Sequence, residues 1–73
     1  MRLVSQNGEF DAPYEIAALS RTENIIRAYV PIVGEKGTVM AVYSTEEQAK
    51  EALSMVMYAH ISNKPIFMFP KEG

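Results

Sequence analysis

The side chains that could do chemistry fall into a few groups. Glu9, Asp11 and Glu15 share one face of an extended stretch, which is one way to gather carboxylates around a hard cation. No Asp- or Asn-rich loop with ligand spacing accompanies them, so a solvated strand face is expected, and no metal. Glu46 and Glu47 could be read as an acid/base pair, but adjacent helix positions point apart and a capping role accounts for both. His60, the only histidine, is a candidate general base. It falls on the expected buried stripe of a helix near its C-terminus, where packing or the helix dipole explains it. There is no cysteine and no serine in a nucleophile-elbow context. Gly34-Glu35-Lys36-Gly37 lacks the Lys-Ser/Thr of a phosphate loop and precedes a strand. An enzyme is therefore not expected, and no cofactor is implied.

Recognition has better material in the four tyrosines and the arginines. Arg27 and Tyr29 share a strand face opposite an apolar one. A guanidinium can hold phosphate or carboxylate bidentately, and a ring can stack on a base. Arg27, Tyr29, Tyr14 and Arg21 are the candidate ligand-binding residues. The same pattern also describes an ordinary half-exposed sheet face.

The elements that must position these residues read as follows. Leu3 to Gln6 is a short strand, Asn7-Gly8 a type I′ hairpin turn, and Glu9 starts a second strand. Pairing Gln6 with Glu9 puts Val4 opposite Asp11, Leu3 opposite Ala12 and Arg2 opposite Pro13. Phe10, Ala12, Tyr14, Ile16 and Ala18 then form the core side. Arg2, diagonal to Asp11 and Glu15, offsets part of the acidic face. Pro13 has no donor, so the strand is an edge or bends there. Arg21-Thr22-Glu23-Asn24 is a polar turn, Ile25 to Val33 a third strand and Thr38 to Tyr43 a fourth. Ser44 with Glu47 matches a capping box, and the helix runs on to about Ile61. Glu46 and Lys50 form an i, i+4 pair worth about 0.3 kcal/mol. Ala49, Ala52, Leu53, Val56 and His60 line one stripe. Asn63 and Pro65 stop the helix, and Pro65 to Phe69 is a last strand. The expected fold is α+β: an antiparallel four-stranded meander, one helix packed on one face, and a short C-terminal strand (ββββαβ). That last strand joins a sheet edge or pairs with another chain.

Seventy-three residues make one domain, 1–73, which buries only about 60% of its unfolded surface. Small domains compensate with disulfides, a metal or oligomerisation. The absence of cysteine leaves oligomerisation. Nearly half of the residues are apolar (48%), and one helix cannot cover every apolar strand position. Met55 and Tyr58 also point away from the helix stripe, so a homo-oligomer is expected. The net charge of −2 and the absence of a basic tract argue against DNA or RNA as partner. No apolar run is long enough to span a bilayer, and the first residues are too short and polar for a signal peptide. A cytoplasmic location is expected.

The opening Leu3-Val4-Ser5-Gln6-Asn7-Gly8, followed by Phe10-Asp11-Ala12-Pro13-Tyr14-Glu15, resembles a family of small proteins from phages and prophages of Gram-positive bacteria. They tend to open with Ile-Ile-Ser-Gln, a turn with glycine, then Asp-x-Pro-Tyr-Glu. The likeness continues at Tyr43-Ser44-Thr45-Glu46-Glu47-Gln48-Ala49 and at Phe67-Met68-Phe69-Pro70, but not over Ser20 to Val39. It implies a phage accessory protein with no assigned reaction. Small oligomeric anti-defence proteins are common in that setting, some sequestering nucleotide signals of host immunity. By that analogy the expected role is a non-enzymatic homo-oligomer that sequesters such a signal. The alternatives are an inhibitor of a host or defence protein, docking by the Glu9/Asp11/Glu15 face or the Met55/Tyr58 face, and an enzyme that degrades the signal.

Overall fold

The computed structural model describes residues 1–30 and 37–71. It is an α+β structure of two three-stranded sheets and one helix. The first sheet has the order β2-β1-β6, from β1 (Arg2–Val4), β2 (Asp11–Pro13) and β6 (Ile66–Met68). The second has the order β3-β4-β5, from β3 (Ala18–Thr22), β4 (Ile25–Tyr29) and β5 (Thr38–Val42). The helix α1 spans Glu46–Ile61.

The continuous four-stranded meander is corrected here. Pro13 ends β2, and the chain turns through one 3-10 turn, Tyr14–Ile16, before β3 begins. The bend expected at Pro13 thus separates two sheets. Phe10, Ile16 and Ala18 consequently leave the expected core side: all three are exposed, whereas Ala12 is buried.

The first hairpin has the expected register, with Arg2 opposite Pro13, Leu3 opposite Ala12 and Val4 opposite Asp11. Its turn differs. Gly8 has positive φ (75°) but Asn7 does not, which rules out type I′. The buried Ser5 organises the loop instead. Its Oγ donates to Asn7 Oδ1 (2.7 Å) and accepts from the Phe10 amide (3.0 Å), while the Gly8 amide donates to the Ser5 carbonyl (2.9 Å). Arg21 and Thr22, expected in a turn, belong to β3, and the turn shortens to Glu23-Asn24 with Glu23 at φ 55°. Pro31 to Val33 of the expected third strand, and Gly34 to Lys36 of the loop, lie outside the described residues.

Pairing between β4 and β5 slips at Ile26/Arg27, so Met40 is an extra residue on β5. Such a bulge lets neighbours on one strand turn to the same side. Met40 and Ala41 are both buried, while Val39 and Val42 are exposed.

The helix cap sits one residue later than Ser44. Thr45 Oγ1 accepts from the Gln48 amide, and Gln48 Oε1 accepts from the Thr45 amide, each at 3.2 Å. Ser44…Glu47 and Thr45…Gln48 both fit the capping-box pattern, and the second leaves Glu46 and Glu47 in the first turn. At the other end Asn63 has φ 57°. The Lys64 amide donates to Ala59 O (3.0 Å) and the Asn63 amide to His60 O (3.1 Å), the two bonds of a Schellman stop. Ala49, Ala52 and Val56 are buried and Leu53 half-buried, as the stripe required, but His60 is exposed.

One core joins the parts. Leu3, Ile26, Ala28, Met40, Ala41, Tyr43 and Phe69 pack with the buried helix positions. The last strand pairs within the chain, parallel to β1. Gln6 ties the sheets and the C-terminal segment together. Its amide donates to Met40 O (2.7 Å), its Oε1 accepts from the Val42 amide (3.1 Å), and its Nε2 donates to Pro70 O (3.1 Å). Tyr43 Oη donates to the same Pro70 carbonyl (2.9 Å). Among the described residues, no helix is long and apolar enough to cross a membrane.

Candidate functional site

The acidic face dissolves into separate local contacts. Arg2 holds Asp11, with Nη2 and Nε at 2.6 and 3.1 Å from Oδ2, as the diagonal placement implied. Glu15, on the 3-10 turn, accepts from the Met1 ammonium at 2.6 Å. That hydrogen bond, helped by a backbone hydrogen bond and the charges of the ammonium and His60, holds the Glu15 carboxyl below its ordinary range. Glu9 accepts from Asn7 Nδ2 (3.4 Å). Among the described residues no three His, Cys, Asp or Glu side chains gather as a metal site.

His60 stacks on Tyr14, ring centroids 4.7 Å apart and tilted by 37°. Its exposed place corrects the buried position read from the helical stripe, because the 3-10 turn supplies only one ring to cover it. Glu46 reaches Arg21 (3.2 Å) and Lys50 (3.6 Å), and Glu47 also lies near Lys50 (3.8 Å), an exposed ion network rather than an acid/base pair.

The four candidate ligand residues do not converge. Arg21 pairs with Ile26 across β3 and β4, which puts it on the inner, helix-facing side. Its Nη1 donates to the Glu23 carbonyl (2.8 Å) and meets Glu46 (3.2 Å), tying the hairpin turn to the helix start. Tyr14 lies at the other end of the helix, against His60. Arg27 and Tyr29 do stay together on the outer face of β3-β4-β5. There Arg27 sits opposite Ser20 and Val39, and Tyr29 opposite Ala18. Both are half-buried, and Ile25, Val39 and Val42 share their side. Arg2 and Arg21 each hold a carboxylate; Arg27 meets none among the described residues. Gly37 supports Tyr29. Its φ is 71°, and a Cβ there would sit 2.6 Å from Tyr29 Cε1, so the ring lies where only glycine leaves room.

A cleft that the sequence reading missed opens between the sheets. Phe10, Ala12, Pro13, Ile16, Ala28 and Met40 are among its walls, the Arg2–Asp11 pair is at its edge, and its volume is about 400 Å³. The signal was present in the run Phe10, Ala12, Tyr14, Ile16, which carries more large apolar groups than its neighbours cover. Arg2 and Asp11 satisfy each other, so the cleft suits apolar contact rather than bond chemistry. No protein-family model, no curated protein and no solved structure matches the chain.

Proposed function

We propose that this chain is a non-enzymatic, phage-type accessory protein. It works as a homo-oligomer in the cytoplasm of a host bacterium and sequesters a small nucleotide-derived immune signal. The ligand face is the outer side of β3, β4 and β5, with Arg27 and Tyr29 in contact with the ligand. One observation carries this reading: Arg27 is an arginine without a carboxylate among the described residues, set beside a tyrosine ring on a largely apolar face. A guanidinium so placed takes a phosphate, and the ring takes a base. Tyr14 and Arg21 act as supports for the helix, not as ligand contacts. The phage setting and the immune signal rest on the motif resemblance alone.

The test is a thermal-shift screen of the whole chain against linear and cyclic nucleotides. A ligand at about a hundred times its Kd adds about 2.7 kcal/mol of stability. Arg27→Ala should weaken that binding by about ten- to a hundredfold, the worth of a charged hydrogen bond. Gly37→Ala should weaken it too, by displacing the Tyr29 ring. The ligand should be recovered intact after denaturation. A monomer that no nucleotide stabilises overturns the proposal, and a ligand recovered in altered form points to an enzyme.

A second reading, inhibition of a host or defence protein, is favoured by the exposed apolar second half of α1, where Met57, Tyr58 and Ile61 are 60, 71 and 72% exposed. Recovery of one stoichiometric host protein, lost on Tyr58→Glu, would support it.

A further inference from the structure

The loop between β1 and β2 carries the groups for a covalent change in the chain itself. Of the asparagines, only Asn7 precedes a glycine; Asn24 and Asn63 precede Ile25 and Lys64. Asn-Gly is the sequence most open to imide formation, because glycine has no side chain to shield its amide nitrogen and moves freely through backbone space. The Gly8 nitrogen gives up its proton to water and attacks Asn7 Cγ. The N–Cγ bond forms, the Cγ–Nδ2 bond breaks, and ammonia leaves. Water then opens the imide at either carbonyl, giving aspartate or isoaspartate. No oxidant or cofactor takes part. Asn7 and Gly8 are both exposed, so water reaches them.

The folded loop engages each reacting group elsewhere. The nucleophile is tied first: the Gly8 amide donates to the Ser5 carbonyl at 2.9 Å. A carbonyl accepts that hydrogen bond but does not take the proton, so the nitrogen stays neutral while the bond lasts. The electrophile is tied next. Asn7 Oδ1 accepts from Ser5 Oγ (2.7 Å) and from the Glu9 amide (3.0 Å). A backbone amide only donates, which fixes the orientation of the Asn7 side-chain amide. Both bonds hold Cγ in a turn that spans Gly8, against the swing that would bring it onto the Gly8 nitrogen. The leaving nitrogen, Nδ2, donates to Glu9 Oε2 (3.4 Å). Two donors on Oδ1 also polarise the carbonyl, which favours attack. That effect counts only once the Gly8 nitrogen is free, so the closed loop is the slow state. Ser5 joins these contacts: it is 1% exposed, and its Oγ also accepts from the Phe10 amide at 3.0 Å.

We propose that Asn7 is a deamidation site held closed by the folded loop, with Ser5 as its guard, and that conversion passes through local opening between β1 and β2. Isoaspartate would lengthen the main chain at residue 7 and remove the side-chain amide that the loop is built on. A converted loop then has no way back to its closed form. Nothing in this depends on the Arg27/Tyr29 face.

The test ages the whole chain at neutral pH in heavy-oxygen water, folded and in urea. Peptide mass spectrometry follows ammonia loss and oxygen uptake at residue 7. Folded Asn7 should convert at least about tenfold more slowly than unfolded Asn7, the worth of one or two net hydrogen bonds. In native-state hydrogen exchange the Gly8 amide should be protected by a similar factor, since both reactions need the same opening. Ser5→Ala removes the Oγ contacts to Asn7 and Phe10 and should speed conversion about tenfold in a chain that still melts cooperatively. The Gly8 exchange of the unaltered chain decides the matter if that variant does not fold. Equal rates in the folded and unfolded chain, or an unprotected Gly8 amide, overturn the proposal. Faster conversion in the folded chain also overturns it, and would mean that polarisation of Oδ1 wins. A folded Ser5→Ala chain that ages like the wild type overturns the part given to Ser5.

Discussion

Glu15 shows how a residue read for chemistry settles into structure. Its Oε2 accepts from the Met1 ammonium at 2.6 Å, and its pKa is lowered chiefly by that hydrogen bond. A carboxyl lowered in the folded state adds stability above its unfolded pKa. That contribution is lost as pH falls through the lower, folded value. The stability difference between the wild type and Glu15→Gln, followed by thermal melting, should thus be present at neutral pH and shrink on acidification below the ordinary carboxylate range. A difference that stays constant through that range would remove the linkage. At this scale the sequence was readable where partners lie close along the chain: Arg2 and Asp11 meet as the strand pattern required. It was unreadable where the partner comes from a distant element. Nothing around Arg21 announces Glu46, and nothing around His60 announces Tyr14.

Among the elements, the helix was the most readable, and the one-residue shift of its cap is instructive. Ser44-Thr45-Glu46-Glu47-Gln48 contains two overlapping capping boxes. Thr45 holds the box with Gln48. Thr45→Ala should cost about 1 kcal/mol in chemical denaturation, the worth of an N-cap. An unchanged stability would contradict the cap seen here. The strands were readable in register but not in extent. Pro13 announced a bend, yet no local pattern says that the chain will start a new sheet beyond it. The bulge at Met40 was hidden for a related reason. Val39, Ala41 and Tyr43 read as one alternating face, and the extra residue that places Val39 outside and Ala41 inside is visible only against β4. The Arg27/Tyr29 face was readable because β4 keeps strict alternation. The cleft between the sheets was not, because it needs both sheets in place.

For the whole molecule, the α+β class followed from the helix and the strand runs, while the third strand of the first sheet depended on β6 joining β1. That pairing sets an order of assembly. The turn at Glu23-Asn24, the first hairpin and α1 all close over short stretches of chain. Gln6 and Pro70, by contrast, are 64 positions apart, against 5 for Ser5 and Phe10. Closing the longer loop costs about 2 kcal/mol more in chain entropy. Phe69, fully buried and the largest side chain in that state, arrives only with this segment. The core is therefore short of its main aromatic until the last strand docks, and the domain should open there first. In native-state hydrogen exchange, the Phe69 amide, bonded to Val4 O, and the Arg2 amide, bonded to Pro65 O, should exchange ahead of the Ala52 and Val56 amides. Identical opening energies at all four would mean that the chain unfolds as one unit. Otherwise the segment that completes the interior also acts as its latch: while it is released, the interior lies open and the molecule is most vulnerable to proteolysis and misassembly.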